Sequence, residues 1–336
     1  MNPFAYQRVD APDAALHAIA AQNAKFLGGG TNLVDLMKDG VENPSLLIDI
    51  NHIGLNRVSA NSNGATIGAL VRNSDLANDP NIITHYPLLS HALLSGAIPQ
   101  LRNMATTGGN LMQRTRCFYF MDTAFPACNK RVPGSGCAAI QGFHRIHAIL
   151  GQTDEGATSA HTCIATNPSD MNVALSALNA TVEIQGPAGK RTLPFSEFHR
   201  LPGKTPEQDT NLHPGELIVA VTLPPSKFAK NSWYLKVRDR QSYAFALVSV
   251  AAGLEMDGDT IKSAGLALGG VAHKPWRSPE AEHTLTGKPA TTDTFQRAAE
   301  LALAGAKPHE HNAFKVELAK QSIVRALTQA SKGVEA

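Results

Sequence analysis

The chain has 336 residues, of which 43% are hydrophobic and 17% are charged, as expected of a globular protein with an ample core. Its 30 basic and 28 acidic residues give a net charge of +2 without a long run of either sign, which excludes the basic stripe of a non-specific nucleic-acid binder. The longest apolar stretch, FALVSVAAGL (residues 245–254), falls short of the roughly 18 residues that a membrane span needs.

The first two-thirds of the chain alternates predicted helices and strands with two glycine-rich turns. DAPDAALHAIAAQ (residues 10–22) spaces its Ala and Leu residues onto one helical face. AKFLGGGTNLVDLMKDG (residues 24–40) predicts a short strand, a glycine turn and a helix that begins at Thr31, and the apolar run SLLIDI (residues 45–50) predicts a buried strand. Later segments predict a strand and a helix in residues 64–79, a helix and a second glycine turn in 87–113, a helix and a strand in 170–185, and a strand in 216–225.

The composition changes at PPSKFAKNS (residues 224–232), which we predict to be a linker between two domains. Beyond it the pattern predicts three strands followed by two helices, in residues 233–239, 245–256, 260–271, 292–306 and 313–330. Strands and helices that follow one another in blocks predict an α+β fold.

Each glycine-rich turn offers a place where the backbone can approach a ligand closely. KFLGGGTN lies between a predicted strand and a predicted helix, and ATTGGNL repeats this chemistry about eighty positions later, with threonine and asparagine side chains beside the glycines. A helix N-terminus beside such a turn favours an anion, so the pair predicts a pyrophosphate cradle. Neither turn has the G-x-G-x-x-G or Gly-Lys-Ser/Thr pattern. The alternative is that both are only tight structural turns.

All four cysteines of the chain lie between residues 117 and 163. Cys117, Cys128, Cys137 and Cys163 are spaced C-x10-C-x8-C-x25-C, without the close pairs that are usual in structural zinc sites. Disulfides suit small secreted domains. Four thiolates also match the ligands of a [4Fe–4S] cluster. On spacing alone the three alternatives stay open.

The motifs KFLGGGTNLVDLMK, IGALVRNSDLA, TTGGNL, NPSDM, ELIVAVTLP and KVRDRQSYAFALVSVA occur in this order, and together they closely resemble the FAD-binding subunits of the molybdenum hydroxylases, the xanthine dehydrogenase and aldehyde oxidoreductase family. The resemblance implies a two-part FAD-binding domain of the PCMH/vanillyl-alcohol-oxidase-like type in residues 1–225. It also implies a smaller α+β domain in residues 226–336, similar to the CO dehydrogenase flavoprotein C-terminal domain, with a three-stranded antiparallel sheet and helices.

The resemblance also implies residue roles. The residues that would bind FAD are Lys25, Phe26, Leu27, Gly28, Gly29, Gly30, Thr31, Asn32, Leu33, Thr106, Thr107, Gly109, Asn110, Asp170, Ile218 and Lys236. The stretches TRC, ACNK, PGSGC and CIAT resemble an insertion found in periplasmic aldehyde oxidoreductases of bacteria. They imply that the cysteine segment, residues 114–166, holds a [4Fe–4S] cluster on Cys117, Cys128, Cys137 and Cys163.

The cysteine segment also contains basic side chains and histidines. Four basic residues could offset the charge of a tetrathiolate cluster or could belong to a solvated basic loop: Arg114, Arg116, Lys130 and Arg131. One of three nearby histidines could take part in a Cys/His zinc site, but all three are expected to lie at the surface, which is the commoner case: His144, His147 and His161.

The function that the resemblance implies is electron transfer within a larger enzyme. Electrons would come from an aldehyde through a molybdopterin-containing subunit and a [2Fe–2S] subunit, and would leave this chain for a small-molecule acceptor. No catalytic residue is predicted here. The alternatives are a stand-alone flavin oxidoreductase with a pocket near Arg240 and Tyr243, and a non-catalytic scaffold. MNPFAYQRVD does not resemble a signal peptide, so we expect a cytoplasmic location, or a periplasmic one through a partner's signal.

Overall fold

Three separate β-sheets with helices packed against them make up residues 1–333, which are the residues that the structure, a computed structural model, describes. The strands are β1 (Ala5–Arg8), β2 (Ala24–Leu27), β3 (Leu46–Asp49), β4 (Val58–Asn61), β5 (Gly64–Gly68), β6 (Thr181–Gly186), β7 (Gly189–Pro194), β8 (Leu217–Leu223), β9 (Ser232–Val237), β10 (Val248–Asp257), β11 (Thr260–Gly269) and β12 (Trp276–Arg277).

Most of the helices are short. They are α1 (Pro12–Ala18), α2 (Leu33–Lys38), α3 (Asn73–Asn78), α4 (Pro80–His85), α5 (Pro87–Ser95), α6 (Pro99–Arg102), α7 (Thr107–Leu111), α8 (Phe118–Met121), α9 (Asp170–Ala177), α10 (Phe195–Phe198), α11 (Pro279–Leu285), α12 (Thr292–Ala302) and α13 (Phe314–Ser331), with 3-10 turns at Ala138–Gln141 and Glu310–Asn312. Within residues 1–333, no helix combines the length and apolar character that a membrane span requires.

The first sheet is parallel and has the strand order β1-β3-β2. Its central strand β3 is an apolar run, and Ile48 packs with Ala15 of α1 and with Leu70 and Leu217 from the neighbouring sheet region. Helix α2 makes the crossover that connects the parallel neighbours β2 and β3. The glycine turn follows β2 directly, at the carboxyl edge of this sheet, which is where ligands bind in many parallel sheets.

The second sheet is antiparallel, with the order β4-β5-β8-β6-β7. Its central strand β8 confirms the strand predicted in residues 216–225, and Val221 is fully buried between Ile67 of β5 and Val182 of β6. The edge strand β7 was not predicted, because its residues are mostly exposed and polar and carry no apolar alternation.

The third sheet, β12-β11-β10-β9, is antiparallel and is covered by α11, α12 and α13. The α+β prediction is confirmed, with two differences. A fourth strand, Trp276–Arg277, is too short to produce a periodic pattern, and helix α11 was missed although Ser278 caps it and Pro279 begins it. In α13, Ala319, Ile323 and Ala326 share the face that packs on β10.

The cysteine segment is largely irregular and packs against the third sheet. The backbone N–H groups of Ile149 and Leu150 donate to the carbonyl of Val271 at 2.9 and 3.0 Å. The N–H of Asn167 donates to the carbonyl of Ala272 at 2.9 Å. The C-terminal part of this segment and the residue that follows it are therefore attached to the chain after β11.

Candidate functional site

A cleft of about 660 Å³ lies between the first glycine turn, the second glycine-rich segment and β8. That volume is in the range of cofactor sites. Twelve of the sixteen predicted FAD residues line it: Lys25, Phe26, Leu27, Gly28, Gly29, Gly30, Thr31, Asn32, Leu33, Thr106, Gly109 and Ile218. The structure thus brings together two glycine-rich segments that are about eighty positions apart.

The two glycine-rich segments approach so closely that side chains would not fit between them. A Cβ atom on Gly29 would overlap the carbonyl oxygen of Met104, and one on Gly28 would lie 3.0 Å from Oγ1 of Thr106. Gly30 has a φ of +75°, which favours glycine. Backbone rather than side chains therefore forms this wall of the cleft, and such a surface fits an extended pyrophosphate.

The second segment is a short helix rather than the predicted turn. Helix α7 begins at Thr107 because the hydroxyl of Thr106 accepts a hydrogen bond from the N–H of Gly109 at 3.2 Å. A Cβ on Gly108 would come within 3.2 Å of the carbonyl of Ala69. The absence of side chains at Gly108 and Gly109 therefore lets the helix pack closely against the end of β5 and the wall of the cleft.

A polar network that the sequence analysis missed connects the two walls. The Asn51 side-chain amide donates to the carbonyl of Gly28 at 3.0 Å, and its oxygen accepts from Arg72 at 3.0 Å. Arg72 also donates to the carbonyl of Met104. Burial alone would raise the pKa of Asp49, but hydrogen bonds from Tyr6, Asn51 and Arg8 hold it well below its usual range.

Four predicted FAD residues do not line the cleft. Thr107 donates to the carbonyl of Val71 at 3.2 Å, and the oxygen of Asn110 accepts from Ser169 at 2.6 Å. Asp170 accepts from Lys236 at 2.7 Å. Lys236 reaches from β9 to α9, so it connects the C-terminal part of the chain to the FAD-binding part. The roles of these four residues toward FAD stay predictions.

Asp170 is held from a second direction as well. The hydroxyl of Tyr234, from the same strand as Lys236, donates to Asp170 at 2.7 Å. Burial and then the charge of Asp170 raise the pKa of Tyr234 well above its usual value, so the hydroxyl keeps its proton and acts as a donor.

The four cysteines are buried and free, and all four line one small cavity. Residues Cys128 and Cys137 pair as an isolated antiparallel bridge, and Cys163 pairs in the same way with Thr153. Burial, followed by the charge of neighbouring cysteines, raises the pKa of Cys137 to about 12 and that of Cys117 further. No disulfide joins these cysteines in residues 1–333, and no three His, Cys, Asp or Glu side chains there are placed to hold a single metal ion.

Two buried histidines contact cysteine sulfur atoms. Nε2 of His147 lies 3.1 Å from Sγ of Cys117, and Nε2 of His273 lies 3.1 Å from Sγ of Cys163. Burial, and then the charge of Lys315, lowers the pKa of His147 to about 3, and burial lowers that of His273 well below its usual value. Both imidazoles are therefore neutral near pH 7.

The expectation of three surface histidines is wrong in two cases, because His144 and His147 are buried where the cysteine segment packs on the C-terminal part of the chain. His161 is half-buried, and its Nδ1 lies 3.1 Å from a carboxylate oxygen of Glu155. His273 was not singled out from the sequence, because nothing in its local pattern distinguishes it from an ordinary surface histidine.

Comparison with known proteins places the chain in a family. The family profile described as "FAD binding domain in molybdopterin dehydrogenase" matches residues 2–226. The chain belongs to the FAD-binding subunits of the molybdenum hydroxylase family. A second profile, "CO dehydrogenase flavoprotein C-terminal domain", matches residues 233–330. The expectation of an oxidoreductase subunit is thereby confirmed.

Relatives and solved structures agree with this assignment over nearly the whole chain. The chain is 52% identical to the aldehyde oxidoreductase FAD-binding subunit PaoB of Escherichia coli K12, covering 98% of this chain and 99% of that one. It is 30% identical to the glyceraldehyde dehydrogenase medium chain of Sulfolobus acidocaldarius, covering 86% and 83%. A carbon monoxide dehydrogenase structure from Hydrogenophaga pseudoflava superposes with a TM-score of 0.75 at 26% identity, covering 98% and 97%.

A chain of ion pairs runs from the FAD cleft of this subunit to the cysteine cavity. Lys25 lies 3.4 Å from Glu42, and Arg114 bonds Glu42 at 2.8 Å and Asp209 at 2.9 Å. Asp209 then bonds Lys130 at 2.5 Å. Glu42, Arg114 and Asp209 line the cleft, whereas Lys130 lines the cysteine cavity.

The basic residues of the cysteine segment therefore have different environments. Lys130 is buried beside the cysteines, as the charge-offset interpretation requires. Arg116 pairs with Asp35 at 2.5 Å, and Arg131 donates to backbone carbonyls of residues 119–125. The alternative of a solvated basic loop is wrong for Lys130 and Arg114.

Proposed function

We propose that this chain is the FAD- and [4Fe–4S]-containing electron-transfer subunit of a molybdenum-dependent aldehyde oxidoreductase. The proposal rests on one observation: all four cysteines line one buried cavity, and ion pairs connect this cavity to a cleft that fits FAD. The 52% identity to an aldehyde oxidoreductase FAD-binding subunit supports the choice of aldehyde as substrate class.

The residues of the cleft would bind and orient FAD. The glycine turn at residues 28–30 offers backbone to the pyrophosphate, and Thr106 fixes the start of α7 on the opposite wall. Asn51 and Arg72 hold the two walls together. When bound, FAD supplies the redox chemistry that connects the partner subunits to an external acceptor.

The cysteine cavity would hold the cluster. The thiols of Cys117, Cys137 and Cys163, whose pKa values are raised by burial, keep their protons near pH 7 and would release them when metal binds. A cluster of four irons spreads its ligands over several metal atoms, so its cysteines need not converge on one point. Lys130 lines the same cavity, and its buried ammonium is bonded to Asp209.

The aldehyde chemistry itself would take place on other chains. We propose a molybdopterin-containing subunit and a [2Fe–2S] subunit as partners and a small-molecule electron acceptor. We also propose a periplasmic location through a partner's signal, with the cytoplasm as the alternative.

The proposal is tested by purifying the complex from co-expressed neighbouring genes and measuring iron, sulfide and flavin. The single variant Cys128→Ser should lose about four irons per copy of this chain, while flavin falls less, because residues 25–33 lie outside the cysteine segment. Val132→Ser, at an exposed position of the same segment, is the matched control and should keep its iron. Zinc in place of iron, or unchanged iron in Cys128→Ser, would contradict the proposal.

A further inference from the structure

Two histidines lie against two of the four cysteine sulfurs, each with a ring nitrogen at hydrogen-bonding distance from the sulfur. We propose that His147 and His273 are positioning residues that donate Nε2–H hydrogen bonds to the sulfurs of Cys117 and Cys163 and thereby raise the reduction potential of the bound cluster. This inference rests on the proposed function, because it requires the cluster.

The two contacts have the same geometry but come from different parts of the chain. Each joins Nε2 to Sγ over 3.1 Å, and each imidazole is buried. His147 belongs to the cysteine segment, whereas His273 lies between β11 and β12 in the C-terminal sheet. The cysteine cavity therefore has one such histidine from each of the two structural units that enclose it.

Both rings are held in place by backbone contacts. The carbonyl of His147 accepts from the ammonium of Lys315 at 2.8 Å and from the side chain of Asn312 at 3.2 Å. His273 follows Val271 and Ala272, whose carbonyls accept from the cysteine segment. These contacts fix the backbone from which each imidazole extends, and the burial of both rings limits their rotation.

The other nitrogen of each ring indicates where the proton resides. In both histidines Nδ1 is buried and has no hydrogen-bond partner within residues 1–333. A buried N–H group without an acceptor costs more than a buried lone pair without a donor. This favours a proton on Nε2, the atom that faces the sulfur, in both rings.

The direction of the effect follows from charge. A cluster on four thiolates is anionic, and reduction adds one more negative charge. A donor that points at a ligating sulfur stabilises the more negative state more, which raises the reduction potential. A hydrogen bond in a buried site of low dielectric is electrostatically stronger than the same bond in water, so its effect on the reduction potential is larger there.

The test uses the co-purified complex, with variants that keep or remove the donor. His273→Leu removes the N–H and should shift the cluster's midpoint potential to a more negative value, measured by redox titration with paramagnetic resonance. His273→Gln places an amide N–H in the same space and should restore most of the potential. The same pair of changes at His147 should act on Cys117 in the same direction.

His199→Leu is the matched control, because His199 is equally buried but bonds the carbonyl of Leu111 instead of a sulfur. Its cluster potential should be unchanged. Unaltered potentials in both leucine variants, or equal shifts in the leucine and glutamine variants, would overturn the inference. A wild-type complex that has no cluster on this chain would instead refute the proposed function.

A second measurement needs no variant and remains decisive if the leucine variants lose the cluster. In wild-type complex with isotope-labelled histidine, double resonance on the reduced cluster should show weak couplings from histidine nitrogen and from exchangeable protons that vanish in deuterium oxide. Absence of the histidine coupling in a cluster-loaded sample would overturn the inference.

Discussion

Gly29 occupies the tightest point of the FAD cleft, where its α-carbon faces the carbonyl of Met104. The backbone there cannot move away independently, because Arg72 binds the same carbonyl. At the scale of single residues, then, the cleft depends on positions where a methyl group is already too large.

We expect Gly29→Ala to lower flavin content strongly while iron content changes little, since the new methyl would push the two walls apart. Flavin and iron per chain are measured on purified protein. Gly40→Ala is the control: unlike Gly29, Gly40 has a positive φ, of +74°, but no atom lies within 4 Å of the added methyl. It should cost about 1–2 kcal/mol of stability through backbone strain alone and keep its flavin. Equal flavin loss in both variants would contradict the steric explanation.

Lys315 is a buried ammonium that bonds the carbonyls of His147 and Gly270. Burial, and then the charge of Arg145, lowers its pKa to about 7. The unfolded chain therefore binds more protons than the folded one between about pH 7 and the ordinary lysine pKa of about 10.4. The contribution of Lys315 to the free energy of unfolding therefore rises as the pH increases through that window.

We expect the free energy of unfolding of the wild type to increase from pH 7 to pH 9.5 more steeply than that of Lys315→Met. Denaturant titrations at the two pH values measure this difference. Lys320→Met, on the same helix and partly exposed, is the control and should keep the wild-type slope. If the free energy of unfolding increases equally with pH in wild type and in Lys315→Met, Lys315 does not titrate in this range.

At the scale of elements, ion pairs attach the cysteine segment to the FAD domain. Burial alone would raise the pKa of Asp209, but Lys130 and then Arg114 lower it to about 2. The side chain of Lys130 is only 2% exposed, so it cannot turn to water if its partner is removed. Asp209 therefore connects two structural units through a single carboxylate.

We expect Asp209→Asn to destabilise the protein by about 3 kcal/mol, because it leaves the Lys130 charge buried without a counter-charge. The loss of iron should exceed the loss of flavin. Asp239→Asn removes a pair of similar length, 2.7 Å to Arg145, in which both side chains are well exposed. That control should cost less than about 1 kcal/mol. A small effect of Asp209→Asn on both stability and iron would show that the pair is dispensable.

The sequence predicted those elements and contacts that arise from local pattern. The strand, glycine turn and helix around residues 25–38 were predictable because apolar periodicity and glycine chemistry are local. The Asn51–Arg72 network and the contact of His273 with Cys163 were not, since they join positions 21 and 110 residues apart. Lys236 and Asp170 were predicted as separate flavin contacts, whereas they bond one another.

At the scale of the whole molecule, the part of the chain that the structure describes offers a cofactor cleft and a cysteine cavity. The candidate side chains of a stand-alone enzyme, Arg240 and Tyr243, contact each other in an exposed loop. Membership of the molybdenum hydroxylase family places the chain among subunits of larger enzymes.

We expect this chain to co-elute with its partners after co-expression and to have no aldehyde oxidation activity when purified alone. Acid precipitation should release its flavin into the supernatant, because residues 25–33 and 105–111 contain no histidine or cysteine that could bond it covalently. Yellow colour that remains in the pellet, or full activity of the isolated chain, would contradict this view.

The attachment of the cysteine segment to the end of the chain has a consequence for biosynthesis. Lys315 is translated 168 residues after His147, whose carbonyl it binds. At ribosomal rates of about 5–20 residues per second, that delay is on the order of ten seconds or more. His273, which contacts the sulfur of Cys163, is likewise translated 110 residues after that cysteine. Metal loading before the last helix is translated would therefore meet a cysteine segment without these contacts, and loading after it would meet the segment packed against the C-terminal part of the chain.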